Sequence, residues 1–230
     1  MKQETLMARQ QQVLHDKKWI TFLRRTWLLR HIPFVELALA AGSMATGKVN
    51  PDSDFDVIVG ARQGRIFTAR FFSVLAFGAF GWRRKKLSHK ESAANTVCLN
   101  HFVTPSAYRL SPPHNEYWQD LYRNLVPIYG DTVKVLAFFS ANDWRGATGE
   151  YHDDLRHRYR SPSSVRKIAE GFLSGRLGDW LEARLRSFQI SRIEKGLAEE
   201  VGYKPRIIYS DDELEFHPDT RRIDSQLNNP

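Results

Sequence analysis

Hydrophobic and polar positions change period several times along the chain, and each change predicts an element. Residues 3–29 mix charged positions with Leu6, Val13, Ile20, Phe22 and Leu23 at helical spacing, so a helix is expected there, ended by Pro33. Residues 35–41 are nearly unbroken apolar and rich in small side chains, the pattern of a buried central strand. The stretch from Ser43 to Ser53, with Gly47, Asn50 and Pro51, reads as a loop, and residues 55–59 return as a second strand. Gly60 to Gly64 reads as a turn. Residues 65–80 then read as a helix that is apolar almost all round. Residues 96–103 alternate weakly, but their Thr, Val and Phe content favours a third strand.

The second half turns helical. Residues 115–125 and 132–140 read as helices around the short Val126-Ile128-Tyr129 segment. Residues 141–161 are polar and charged with little periodicity, and are read as a linker between a core domain, 1–140, and a helical C-terminal domain, 162–230. That second part is capped by Ser161 or Ser163, with Pro162 near its first turn, and continues as a long helix over 163–200. Gly171, Gly175 and Gly178 weaken its centre enough to permit a break. A short strand, 206–209, precedes a terminal tail. The class expected is α+β: a mixed β-sheet with flanking helices, followed by a mostly helical C-terminal region.

Chemistry concentrates in residues 41–59, AGSMATGKVNPDSDFDVIV. Residues i and i+2 of a strand share a face, so Asp54 and Asp56 project together while Phe55 turns into the core. Two carboxylates side by side make a hard-oxygen site suited to Mg²⁺ or Mn²⁺. Gly42 lets the backbone approach a phosphate closely, and Ser43 adds a hydroxyl and an N–H at the same bend. A bare Asp-x-Asp is more simply a solvated turn; the glycine hinge and the flanking apolar strands favour a site.

Gly42-Ser43, ten residues, then Asp54-hydrophobic-Asp56 resembles the signature of the DNA polymerase β-like nucleotidyltransferase superfamily, above all its minimal bacterial members and the aminoglycoside nucleotidyltransferases. The segments 64–70, 98–100, 142–144 and 216–218 are similar to an uncharacterised bacterial subgroup of nucleotidyltransferase-domain proteins. The resemblance implies a nucleotidyltransferase-like sheet domain in which Gly42 and Ser43 hold the triphosphate of an NTP, ATP first, while Asp54 and Asp56 hold metal. It implies transfer of a nucleoside monophosphate to an acceptor, which is a small molecule, an RNA or a protein. It also implies a third carboxylate on the third strand, where this chain has Asn100. An amide oxygen can coordinate a metal but cannot act as a base. By alternation His101 is expected on the face opposite Asn100, and Glu91 lies upstream in a loop. Asp54, Asp56 and Asn100 are therefore the expected catalytic set. The alternative is a degenerate nucleotidyltransferase that acts as a non-catalytic nucleotide- or RNA-binding module. A toxin-type enzyme acting on tRNA is a third reading, supported by charge alone.

Composition narrows the picture further. The chain has 230 residues, a net charge of +8 and a single cysteine, Cys98, which excludes an intrachain disulfide and fits a reducing, cytoplasmic compartment. Residues 1–19 are too polar for a signal peptide, and the apolar stretch 71–82 is too short to span a bilayer, so no membrane role is expected. Basic residues are spread over Lys17-Lys18, Arg24-Arg25, Arg83 to Lys86, Arg156 to Arg160 and 166–192. Most such runs are solvated faces; together they fit a polyanionic partner, either RNA contacting a basic surface or ATP alone. Lys48 is a candidate for the γ-phosphate, and Arg65 and Arg70 for clamping triphosphate or base, against solvated-lysine and structural salt-bridge readings. Tyr117, Trp118, Tyr122 and Trp144 suit base stacking or, more commonly, a core. His114, His152 and His157 lack metal-ligand spacing, His217 with Asp219 suits tail docking, and Cys98 reads as a small buried hydrophobe.

Overall fold

The computed structural model describes residues 2–84, 93–112, 114, 116–145, 154–199 and 206–217. The apolar runs become β1 (Val35–Ala40), β2 (Phe55–Ala61), β3 (Val97–Val103), β4 (Val126–Gly130), β5 (Arg206–Tyr209) and β6 (Glu213–His217). They form one six-stranded sheet in the order β4-β1-β2-β3-β6-β5, with β2 and β3 parallel and every other neighbour antiparallel. Helices cover it, so the class is α+β, as the periodicity implies.

Alternation along the strands sorts two cores. Val57 and Val59 of β2 and Phe102 of β3 pack with α1 (Lys2–Thr26), α3 (Ile66–Ala79) and α7 (Arg176–Glu199) on one face. Leu37, Leu39, Ile58 and Val103 pack with α4 (Glu116–Arg123) and α5 (Thr132–Ala141) on the other. In α1 the buried stripe is Trp19, Phe22 and Leu23, whereas Leu6, Val13 and Ile20, which suggested the helix, are exposed. The segment expected to be a loop from Ser43 opens as a short helix, α2 (Gly42–Thr46), closed by Gly47 at φ +76°.

The division expected at 141–161 is crossed by both the sheet and the core. The C-terminal chain forms α6 (Ser164–Leu173) and α7, broken near Gly175 as the glycines permit, with the Ser163 side chain capping α6 by accepting from the Arg166 N–H. Arg166, 4 % exposed, donates to the Val35 carbonyl and the Tyr129 hydroxyl. Glu170 accepts from the Phe34 N–H (2.7 Å) and from Arg62 (2.7 Å). The α3 N-terminus has no acceptor of its own, because the Arg65 side chain preceding it makes no cap bond. Glu182 of α7 supplies one, accepting from the Phe67 and Thr68 N–H groups at 2.9 and 2.8 Å. Residues 213–217, expected as tail, form β6, which pairs with β3. Asn142 is buried and structural: its amide joins Tyr108, Leu110, Phe138 and Trp144, filling its hydrogen-bonding capacity.

No helix among the described residues is long and apolar enough to cross a membrane. Lys85, Lys86, Glu91, His152, Pro218 and Asp219 lie outside the described residues.

Candidate functional site

Asp54 enters β2 and Asp56 is its second residue, so both fall on the face that carries Ile58, while Phe55 and Val57 fill the opposite core. The parallel register sets Cys98 of β3 beside Asp56. One ligand atom from each of Asp54, Asp56 and Cys98 lies within 4.8 Å of the others. The Ala41 N–H donates to the Asp56 carbonyl at 3.0 Å, which fixes the turn into α2 against the same strand. At that turn Gly42 adopts φ +60°, and a Cβ there would land on the Asp56 carboxylate. Only glycine satisfies both conditions, so the hinge and the carboxylate pair form one constellation.

Asn100 does not stand in the rank of the aspartates. Between the pairs Asp56↔Cys98 and Ile58↔His101, β3 carries one residue more than β2, so Leu99 and Asn100 together oppose Val57. Leu99 joins the core behind Val57, and Asn100, 8 % exposed, is the extra residue of the bulge. The bulge also overturns the expectation for His101, which returns to the aspartate face opposite Ile58. There it meets β6, with its imidazole 3.1 Å from Glu213.

Electrostatics single out the aspartate pair. Burial first, and the Asp54 charge second, push the Asp56 carboxyl up to about 7. Arg84 places Nη1 2.5 Å from Asp54 Oδ2, with both side chains largely buried. Burial is the largest single influence and would lower the Arg84 guanidinium, but the charge and hydrogen bond of Asp54, with Cys98 and Asp56, together outweigh it and raise the group. Burial and the two carboxylates hold the Cys98 thiol well above its ordinary range, so it stays protonated. Tyr117 of α4, 41 % exposed, is raised by burial and by Asp56, which places its phenol within reach of the same charge.

One stripe of α1 holds the loop that delivers the aspartates. Gln11 donates to the Val49 carbonyl (2.8 Å), the His15 ring lies 3.1 Å from the Met44 carbonyl, and Lys18 donates to the carbonyls of Pro51 (3.0 Å) and Ser53 (2.8 Å) and to the Asn95 side chain (3.2 Å). Lys18 is only 4 % exposed, and burial lowers its pKa against the pull of Asp52 and Asp54. These residues recur at i, i+4 and i+7 next to Trp19 and Phe22, so their common face is visible in the sequence; their target is not. Arg84 and Lys18 sit in basic runs that read as solvated faces, and the structure turns both inward.

The chain matches no protein-family model, no curated protein and no solved structure. Geometry alone therefore sorts the expected site residues. Asp54, Asp56, Gly42 and Ser43 come together. Lys48 is exposed and lies 4.0 Å from Asp120 of α4. Arg65 precedes α3 beyond the far end of β2, paired with Asp179 and lying over the Phe34 ring. At about 3.3 Å per residue the strand alone keeps it roughly 20 Å from Asp54. Arg70 is half-buried, bonded to Gln189 (2.6 Å) and lying over Phe216. Trp118 and Tyr122 are buried in the second core. A cavity of about 610 Å³ between α1 and Arg156 and Arg158 contains neither aspartate.

The residues present fit a hard divalent cation. Two carboxylates supply hard oxygens, the glycine cradle leaves their flank free of side chain, and the protonated thiol of Cys98 is a poor Mg²⁺ ligand.

Proposed function

We propose that this chain is a metal-dependent nucleotidyltransferase that moves a nucleoside monophosphate from an NTP, ATP first, to an acceptor hydroxyl or phosphate. The observation that carries the reading is the fusion of hinge and carboxylates: Gly42 is required where it stands because the Asp56 carboxylate fills its Cβ position. Phosphate approach and metal ligation are thereby held in one place. Asp54 and Asp56 would hold Mg²⁺ or Mn²⁺, which supplies charge neutralisation on the donor phosphates when bound. Gly42 and Ser43 orient the triphosphate through backbone N–H groups and the hydroxyl, and the half-exposed Tyr117 ring offers a stacking surface for the base. Lys18, Gln11 and His15 keep the loop from α2 to β2 in register. The cytoplasm is the compartment that suits the buried, protonated thiol of Cys98.

A second reading, a degenerate nucleotidyltransferase that binds nucleotide or RNA without chemistry, is favoured by one observation. Among the described residues the third ligating side chain within reach of the two aspartates is a thiol, not a carboxylate. One experiment separates the two. The protein is incubated with each labelled NTP, Mg²⁺ or Mn²⁺, and a cell extract. Label entering a small-molecule, RNA or protein fraction supports transfer and names the acceptor class. Mg·NTP binding without transfer to any fraction leaves the binding module. Neither binding nor transfer ends both.

A further inference from the structure

Arg84 is held in place by its backbone. The Val97 N–H donates to the Trp82 carbonyl at 2.6 Å, and the Arg84 N–H donates to the Val97 carbonyl at 3.0 Å. The strip 82–84 is thus fastened beside the first residue of β3, one residue before Cys98. From that anchor the side chain reaches over to Asp54, where Nη1 lies 2.5 Å from Oδ2. The Arg84 side chain is 12 % exposed and that of Asp54 16 %, so the contact is largely withdrawn from water. Among the described residues Lys18 is another cation near Asp54, but its ammonium is engaged by the Pro51, Ser53 and Asn95 oxygens.

A divalent cation ligated by Asp54 needs the oxygen face on which the guanidinium rests. Two cations within a few ångströms of one carboxylate oxygen repel strongly where solvent screening is weak. The anchor keeps the Arg84 Cα near the site, so a displaced guanidinium can only rotate about its own side chain and stay within reach of the carboxylate pair. An anion arriving with the metal comes within its reach, and the guanidinium fork matches phosphate geometry.

We propose that Arg84 is the counter-ion of Asp54, which a divalent cation displaces, and that the displaced guanidinium then receives the phosphates of the metal-bound substrate. The second half rests on the nucleotidyltransferase reading; the first does not. Arg84 is thereby a positioning residue for metal and a binding residue for triphosphate, and it couples the entry of one to the entry of the other.

Titration with Mn²⁺ alone tests the first half, comparing wild type, Arg84→Met and Arg84→Gln by calorimetry and by the Mn²⁺-induced rise in melting temperature. Removing the competing cation is expected to tighten Mn²⁺ at least about tenfold in both variants and to enlarge the thermal shift. A purely structural Arg84 would instead weaken Mn²⁺ along with the fold; unchanged or weaker Mn²⁺ affinity in a folded variant overturns the proposal. Arg84→Gln retains a donor for Asp54, which keeps the test available where Arg84→Met does not fold. The second half is read from Mg·ATP binding, which should weaken at least about tenfold in the same variants. Tighter Mn²⁺ with unchanged Mg·ATP affinity removes the hand-over and keeps the competition. Absence of Mg·NTP binding in wild type, for all four nucleotides, removes the transferase reading and the hand-over together, while the Mn²⁺ comparison still decides the first half.

Discussion

Asp54, Asp56 and Cys98 stand where β2 and β3 begin, whereas His101, Glu213 and Glu215 stand further along the same face, where β3 meets β6. Each group brings three ligand atoms within 4.8 Å of one another, so the inventories look alike. Their surroundings do not. His101, Glu213 and Glu215 are 2, 6 and 0 % exposed, and the His101–Glu213 contact fastens an edge hairpin to the central strands. The two aspartates retain exposed surface, abut a glycine hinge with no side chain and lie beside the Arg84 guanidinium. Clustered ligands make a site only where something can enter and leave, and access here follows from position along the strands.

The comparison breaks if the inner cluster proves to be the functional one. Asp54→Asn and Asp56→Asn should each lower Mg²⁺-dependent NTP binding and cut any transfer rate at least about a hundredfold, the scale of a lost electrostatic stabiliser. Glu213→Gln should leave Mg·NTP affinity unchanged and lower the melting temperature, because it alters a buried hydrogen-bonded contact whose partner, His101, stays in place. Calorimetry and thermal melts on the three variants check both arms. Loss of nucleotide affinity in Glu213→Gln, with retention in the aspartate variants, would invert the assignment.

Two glycines of the connecting loop sharpen it. Both Gly42 and Gly47 have positive φ, +60° and +76°, so alanine strains either, at a cost of about 1 kcal/mol. They differ in what a methyl group meets: nothing within 4 Å at Gly47, the Asp56 carboxylate at Gly42. Gly47→Ala should lose a few degrees of stability and bind Mg·NTP as wild type does. Gly42→Ala should lose about tenfold or more in affinity, and Gly42→Val more again, since the added carbons push the carboxylate away. Equal affinities in Gly42→Ala and Gly47→Ala would reduce the hinge to a turn.

The uneven legibility of the sequence has the same origin as the difference between the clusters. Glycine, apolar runs and Asp-x-Asp are local patterns, so the two strands β1 and β2 and the aspartate pair were readable, whereas the short α2 between them read as loop. Arg84, Lys18 and Glu182 were not, because each acts on a partner far away in the chain. Arg84 lies 30 residues from Asp54. Lys18 lies 33 residues from Pro51, and Glu182 lies 115 from Phe67. Charge runs read as solvated until something shows what they face. The helical C-terminal region, 162–230, read as a separate domain for the same reason. Its helical pattern is plain, but the buried Arg166 and the half-buried Glu182 reveal only in the fold that they serve β1 and α3. The β3 bulge was invisible because one extra residue leaves no mark on a run that is buried throughout.

Proton binding offers a finer measure of the same site. The Asp56 carboxyl is raised to about 7, so the folded protein holds a proton that the unfolded chain releases within the ordinary carboxylate range. Its contribution to stability is therefore present at acid pH and is lost as pH rises through about 7. Without divalent cation, the melting temperature should decline over that interval, and Asp56→Asn should flatten the decline. Mn²⁺ must displace the same proton, so its affinity should climb with pH and level off above about 7. Parallel pH profiles in wild type and Asp56→Asn would show that the proton sits elsewhere.

The smallest effect is expected at Asn100, and the register explains why. A third carboxylate can help only if it reaches the rank of Asp54 and Asp56, and the residue in that rank is Cys98. Cys98→Asp therefore adds a hard-oxygen ligand to the pair and should tighten Mn²⁺ about tenfold, at some cost in stability from a third nearby negative charge. Asn100 opposes Val57 within the bulge and makes no side-chain hydrogen bond among the described residues, so its amide has little to lose. Asn100→Asp and Asn100→Ala should stay within about threefold of wild type in Mn²⁺ affinity, the range expected for a group outside the ligand set. If the protein transfers nucleotides, Asn100→Asp should raise the rate less than Cys98→Asp does, since a base must stand within hydrogen-bond reach of the proton it takes. Measuring both substitutions side by side decides which position of β3 belongs to the site. A large gain at Asn100 with none at Cys98 would mean that the strand re-registers on binding and that the bulge is part of the mechanism.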